Sequence, residues 1–239
     1  MITAIGPQFG KNEQRCYTRI ENEIREVTMA NAITLARLPL LIVVTLLLYW
    51  GSPAVQASTA ILVLILILMD SLDGIVARRR REVGMLGSKL DIAVDRIVEY
   101  VLWVVYSNLG LISVAIPIIV LIRGGLVDTI RGFSLIWGET SFGMMQTKWG
   151  RRLVASNFMR SLYGLVKAAA FCMLAAALGL RGLWSNTPRE GWAETILGIA
   201  VVLSWIAAAL CVIRGAPVLI EARTLLKDLD AKVAQHNAE

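Results

Sequence analysis

Hydrophobic positions along the chain gather into long blocks separated by short polar ones. Residues 38–50, 61–69, 111–122 and 196–213 carry almost no charge. A bilayer core takes about 20 mostly apolar residues per helix, so such blocks with their flanks predict membrane-spanning helices. Turn signals punctuate them at Gly51-Ser52-Pro53 and Asn108-Leu109-Gly110. Six spans follow, at about residues 30–50, 54–80, 85–107, 111–137, 155–180 and 193–214, with polar loops at 138–152 and 181–190. Pro217 is expected to end the last helix. Before the first span, residues 11–27 place Ile20, Ile24 and Val27 on one stripe, flanked by Arg15, Arg19, Glu21, Glu23 and Arg25. That pattern predicts an amphipathic helix lying on the membrane surface. The fold class is therefore all-α: a polytopic membrane protein of six transmembrane helices with an N-terminal amphipathic surface helix. It divides into a cytoplasmic segment at 1–29, a membrane domain at 30–215 and a cytoplasmic tail at 216–239.

Composition agrees with this reading. The 239 residues are 56% hydrophobic and 18% charged, with a mean hydropathy of +0.65. Soluble domains run at about 45–50% apolar and about 25% charged, so disorder and a hydrophilic secreted scaffold are excluded. Cys16, Cys172 and Cys211 lie far apart and suggest neither a disulfide framework nor a zinc site. The only histidine is His236, near the C-terminus, which removes histidine-based catalysis. The net charge of +6 comes from basic residues bordering apolar spans. Anionic lipid headgroups explain it better than nucleic acid does. Of the 24 lysines and arginines, all but five fall on one side of the predicted spans. Arg181 and Arg189 fall on the other, and Arg37, Arg96 and Lys167 fall within spans. Both termini are thus expected in the cytoplasm, with the protein in the inner (plasma) membrane.

The chemistry lies where the second span meets the third. At ~1.5 Å per residue the second span is about 40 Å long, so its polar end overshoots the hydrocarbon. Asp70 and Asp73 are three apart on it, and Asp91 and Asp95 are four apart on the next. Each pair therefore projects from one helix face, and the short connection makes the two helices antiparallel neighbours. Four such carboxylates need protons, cations or arginine partners such as Arg78 and Arg96. Hard oxygen ligands suit Mg²⁺, Mn²⁺ or Ca²⁺. A pair of such ions suits phosphoryl chemistry, and a divalent-cation transporter is a remote alternative.

The full pattern is Asp70-x-x-Asp73-Gly74-x-x-Ala77-Arg78, then Gly87-x-x-x-Asp91-x-x-x-Asp95. It resembles the signature of the CDP-alcohol phosphatidyltransferases, with all eight defining positions matched. The resemblance implies a phosphotransferase for substituted phosphate groups, acting in phospholipid biosynthesis. A phosphatidyl group would pass from CDP-diacylglycerol to a polar alcohol, with release of CMP. It implies two Mg²⁺ or Mn²⁺ ions on Asp70, Asp73, Asp91 and Asp95. Asp95 would also be the catalytic base on the acceptor hydroxyl. Asp70, Asp73, Gly74, Ala77, Arg78 and Gly87 would bind the CDP-linked donor. A homodimer among membrane lipids, with its active site facing the cytoplasm, is the family expectation.

The acceptor is read from other residues. Asn31-Ala32-Ile33-Thr34-Leu35-Ala36-Arg37 is similar to the opening of many bacterial members, notably phosphatidylglycerophosphate synthases. Arg123 and Arg131 are similar to an arginine pair in those synthases, and Gly164-Leu165-Val166-Lys167 to their G-x-x-K element. Arg123, Arg131 and Lys167 are thus the expected acceptor-binding residues, and glycerol 3-phosphate the leading acceptor. Asp95-Arg96 is similar to inositol-using members. Inositol, inositol phosphate and serine therefore stay open.

Overall fold

A computed structural model describes the backbone of residues 34–80, 85–136 and 157–236, and the side chains of residues 34–69, 90–130 and 158–220. The N-terminal amphipathic segment, Asn31 and the loop at 138–155 lie outside the described residues. Those described form helices and no strands: α1 (Thr34–Trp50), α2 (Pro53–Arg80), α3 (Met85–Asn108), α4 (Ala115–Ile136), α5 (Asn157–Trp184) and α6 (Glu190–His236).

The breaks fall at the turn residues. Gly51 closes α1 with its N–H on the Leu47 carbonyl at 2.9 Å. Pro53 then opens α2, where a missing N–H costs nothing. Gln56 Nε2 donates to the Leu48 carbonyl at 2.9 Å, satisfying an end of α1 that has no helical partner. Gly110 ends α3 in the left-handed region, at φ 72°. Inside the apolar helices, hydroxyls bond their own backbone, as Thr45 does to Leu41 at 2.9 Å and Ser204 to Ala200 at 2.7 Å. Such bonds satisfy the hydroxyl donors within an apolar helix.

Three expectations on boundaries change. Residues 111–114 form a turn before α4, not its first turn, and Leu111 and Ile112 are buried in it. Helix α5 runs on through Arg181 to Trp184. Helix α6 passes through Pro217. A proline costs one helical hydrogen bond there, and packing overrides that local cost: Gly215 and Val218 on either side of it are buried.

Phe158–Trp184 and Glu190–Ile220 are long and apolar enough to cross a bilayer, while Thr34–Trp50 and Pro53–Met69 are shorter apolar helices. The described part of α3 carries four charged residues, Asp91, Asp95, Arg96 and Glu99, which keeps it from this class. The core between the helices holds Trp103, Tyr106, Leu102, Leu48, Leu66, Ile116, Phe171 and Leu174. The Trp103 and Phe171 rings meet edge-on at 4.5 Å, and Tyr106 donates to the Phe171 carbonyl at 2.9 Å. Small residues set the closest approach: a Cβ on Gly179 would strike the backbone of Ala57 and Pro53. Ile42, Ile61, Leu165, Val202 and Ile220 are exposed, an apolar outer surface suited to lipid.

Arg37 at the start of α1 meets the start of α3. Tyr49 at the end of α1 donates to Asn108 Oδ1, at the end of α3, at 2.6 Å. The two helices therefore run in parallel, and their polar residues collect at one end of the bundle.

Candidate active site

Helix α3 builds the site. Asp91, Asp95 and Glu99 recur every fourth residue, so they share one face about 6 Å apart along the axis. Helix α1 supplies the counter-charge. Its Arg37 is 1% exposed; Nη1 lies 3.8 Å from Asp91 Oδ1, and Nη2 lies 3.8 Å from Asp95 Oδ1. These are long ion pairs, beyond hydrogen-bond reach. The two acids keep 41% and 35% of their side-chain surface open.

One turn deeper, the arrangement tightens. Glu99 is buried, and its carboxylate accepts from three donors. Oε2 takes Lys167 Nζ and Arg96 Nη1, each at 3.2 Å, and Oε1 takes the Tyr163 hydroxyl. Arg96 also reaches α4, where Nε donates to Asp128 Oδ2 at 2.9 Å. Helices α3 and α4 come close enough for this because Gly124 has no side chain: a Cβ there would strike the Tyr100 hydroxyl.

Two further arginines stand beside this array. Arg123 is buried against α6, and a Cβ on Gly215 would sit 2.5 Å from its Nε. Arg214 lies over the Tyr163 ring, 5.4 Å from the centroid, a cation–π distance. The Nε of each is buried without a hydrogen-bond partner. Among the described residues neither arginine has a carboxylate within 4 Å. The cluster is therefore divided. Arg37 faces Asp91 and Asp95, Arg96 and Lys167 face Glu99 and Asp128, and Arg123 and Arg214 keep an unmatched positive charge.

Asp91, Asp95, Arg123 and Lys167 thus lie within one group of helices. Asp70, Asp73, Gly74, Ala77 and Arg78 lie on α2, Gly87 on α3 and Arg131 on α4, with side chains outside those described. Among the described residues no three acidic, cysteine or histidine side chains gather into a metal site. Asp91 and Asp95 contribute two hard-oxygen donors of the kind Mg²⁺ and Mn²⁺ take.

Sequence reasoning passed over Glu99, Asp128, Tyr163 and Arg214 as site residues. Glu99 had a readable signal, since it continues the Asp91, Asp95 spacing inside an apolar stretch. Tyr163 had none.

Residues 27–213 match the family model of the CDP-alcohol phosphatidyltransferases. The chain belongs to this family. No curated protein matches it at the level that shows kinship. Members are membrane proteins that transfer a phospholipid headgroup from a CDP-linked alcohol to an acceptor alcohol, so those are the substrate classes here. The two-helix signature at residues 70–95 lies inside the matched region, as do Glu99, Arg123 and Lys167.

Proposed function

We propose that the protein transfers a phosphatidyl group from CDP-diacylglycerol to glycerol 3-phosphate, releasing CMP. The reaction would take place at the cytoplasmic face of the inner membrane, in a homodimer of six-span subunits. The unmatched charge of Arg123 and Arg214 carries the choice of acceptor. Buried Arg123 and part-buried Arg214, each with a buried unpartnered Nε and no carboxylate among the described residues, suit an acceptor that brings its own anion, because desolvated guanidinium groups are costly without one. Inositol phosphate meets the same requirement; inositol and serine leave that charge unanswered. Arg131, nearby in sequence on α4, would add to the grip.

In this reading the acceptor hydroxyl oxygen attacks the phosphatidyl phosphorus. A new P–O bond forms as the bond to the CMP phosphate oxygen breaks. Asp95 takes the hydroxyl proton, and CMP leaves with the electron pair. Two Mg²⁺ or Mn²⁺ ions on Asp70, Asp73, Asp91 and Asp95 would neutralise charge on the diphosphate. The four-residue spacing on α3 holds Asp91 and Asp95 on one face with Arg37 3.8 Å from each, and the openness of both acids leaves room for donor and acceptor. Gly74, Ala77, Arg78 and Gly87 would line the CDP moiety.

The test is purified protein in nanodiscs with CDP-diacylglycerol and a panel of glycerol 3-phosphate, inositol 3-phosphate, inositol and serine. The expected product is phosphatidylglycerophosphate. Turnover with inositol 3-phosphate alone would move the assignment to that acceptor. Turnover only with serine or inositol would refute the anion argument.

A further inference from the structure

We propose that Glu99 is a positioning residue for the acceptor. Its buried carboxylate fixes Lys167 and Tyr163, and through the Tyr163 ring the guanidinium of Arg214. The proposal rests on the reading that Arg214 and Arg123 grip the acceptor's phosphate. No atom of Glu99 is open to a substrate, for the residue is 1% exposed. It also takes no part in the proton transfer assigned to Asp95. A carboxylate at this depth in a membrane helix is costly unless it is fully paired, and such residues mark function by default. Glu99 meets that condition by drawing in donors from two helices: Arg96 from its own α3, and Tyr163 and Lys167 from α5. Arg96 extends the array to Asp128 on α4. Three helices are thus tied to one carboxylate, one turn from Asp95.

The consequence falls on the acceptor side. Lys167 spends its charge on Glu99 at 3.2 Å. Its ammonium also lies 5.5 Å from the Tyr163 ring centroid, on which Arg214 rests. The Tyr163 hydroxyl bond to Glu99 holds that ring in place. Loss of the Glu99 charge weakens the hydroxyl bond that holds the ring, since a neutral amide oxygen accepts less strongly than a carboxylate, and leaves a buried ammonium without its counter-charge. The shelf under Arg214 is then lost, while Asp91, Asp95 and their Arg37 partner stay as they were.

The experiment uses full-length protein in nanodiscs and compares Glu99→Gln, Glu99→Asp, Lys167→Met and the double variant Glu99→Gln/Lys167→Met. The readouts are KM for each substrate, kcat and the melting temperature. Glu99→Gln should raise KM for glycerol 3-phosphate about tenfold or more, with KM for CDP-diacylglycerol within about twofold. The double variant should regain melting temperature lost in Glu99→Gln, because removing both partners leaves no unpaired buried charge. Its acceptor KM should be no worse than that of the poorer single variant. Glu99→Asp, which keeps the charge, should fall between wild type and Glu99→Gln, and it serves the same test if Glu99→Gln does not fold. Equal rises in both KM values, or independent and additive effects of Glu99 and Lys167, would overturn the proposal. If wild type turns over only an unphosphorylated alcohol, the phosphate reading fails first. The melting-temperature cycle then still decides whether Glu99 and Lys167 form one unit, and its absence overturns that as well.

Discussion

The two ends of the helix bundle solve opposite problems. At the end where α1 and α3 finish, contacts are short-range and mostly uncharged. Gly179 and Gly182 press against Pro53 and Ala57, and Tyr49 reaches Asn108. The ion pair there, Arg181 with Glu194 at 2.7 Å, is about half-exposed. At the opposite end, Arg37, Arg123 and Glu99 are buried, and Arg96, Lys167 and Arg214 are largely so. Backbone proximity makes the first end stable. The second end keeps charges where apolar side chains would pack at less cost, which is the mark of a site held for chemistry.

Variants at the two ends should therefore fail in different ways. The largest effect belongs to Asp95→Asn. It should lower kcat by about 100-fold or more, because the proton acceptor is lost, while CDP-diacylglycerol binding is largely kept by Asp70, Asp73 and Asp91, the other three carboxylates proposed to hold the ions. Normal turnover in that variant removes the general-base role. Next comes Arg123→Met, which keeps the volume and removes the charge. It should raise KM for glycerol 3-phosphate by about 10- to 100-fold with little change for the donor. Steady-state kinetics with each substrate varied in turn reads this, and an unchanged acceptor KM removes Arg123 from the grip. Gly179→Leu acts at the other end. Its side chain must displace the α2 backbone, for a destabilisation of about 1–3 kcal/mol. A lower melting temperature with both KM values unchanged is the expected signature. Arg181→Ala should change least. An exposed pair contributes about 0–1 kcal/mol, so stability and kinetics should stay near wild type. A large loss there would show that the two ends are less distinct than their burial suggests.

What could be read from the sequence follows the same division. Helices appear in the pattern because lipid-facing and core positions are both apolar, and glycine and proline punctuate them. Asp91 and Asp95 are legible because a four-residue spacing fixes a shared face without knowledge of tertiary contacts. The partners are not legible in this way. Arg37 meets Asp91 across more than fifty residues, and Tyr163 meets Glu99 across 64. Nothing local in either sequence marks the pairing. Lys167 shows the limit most clearly. As a lone lysine in a span it suggests a ligand for an acceptor phosphate, and only the fold reveals the carboxylate that already engages it. Pro217 shows the converse, a strong local signal that tertiary packing overrides.

The most direct measurement is release of CMP from CDP-diacylglycerol by the purified protein in nanodiscs with glycerol 3-phosphate. It should be made for wild type and Asp95→Asn, with Mg²⁺ or Mn²⁺ present and after chelation. CMP release by wild type with a divalent ion, abolished by chelation and by Asp95→Asn, is the expected result. CMP release that survives both treatments would contradict the assignment of chemistry to the acidic face of α3.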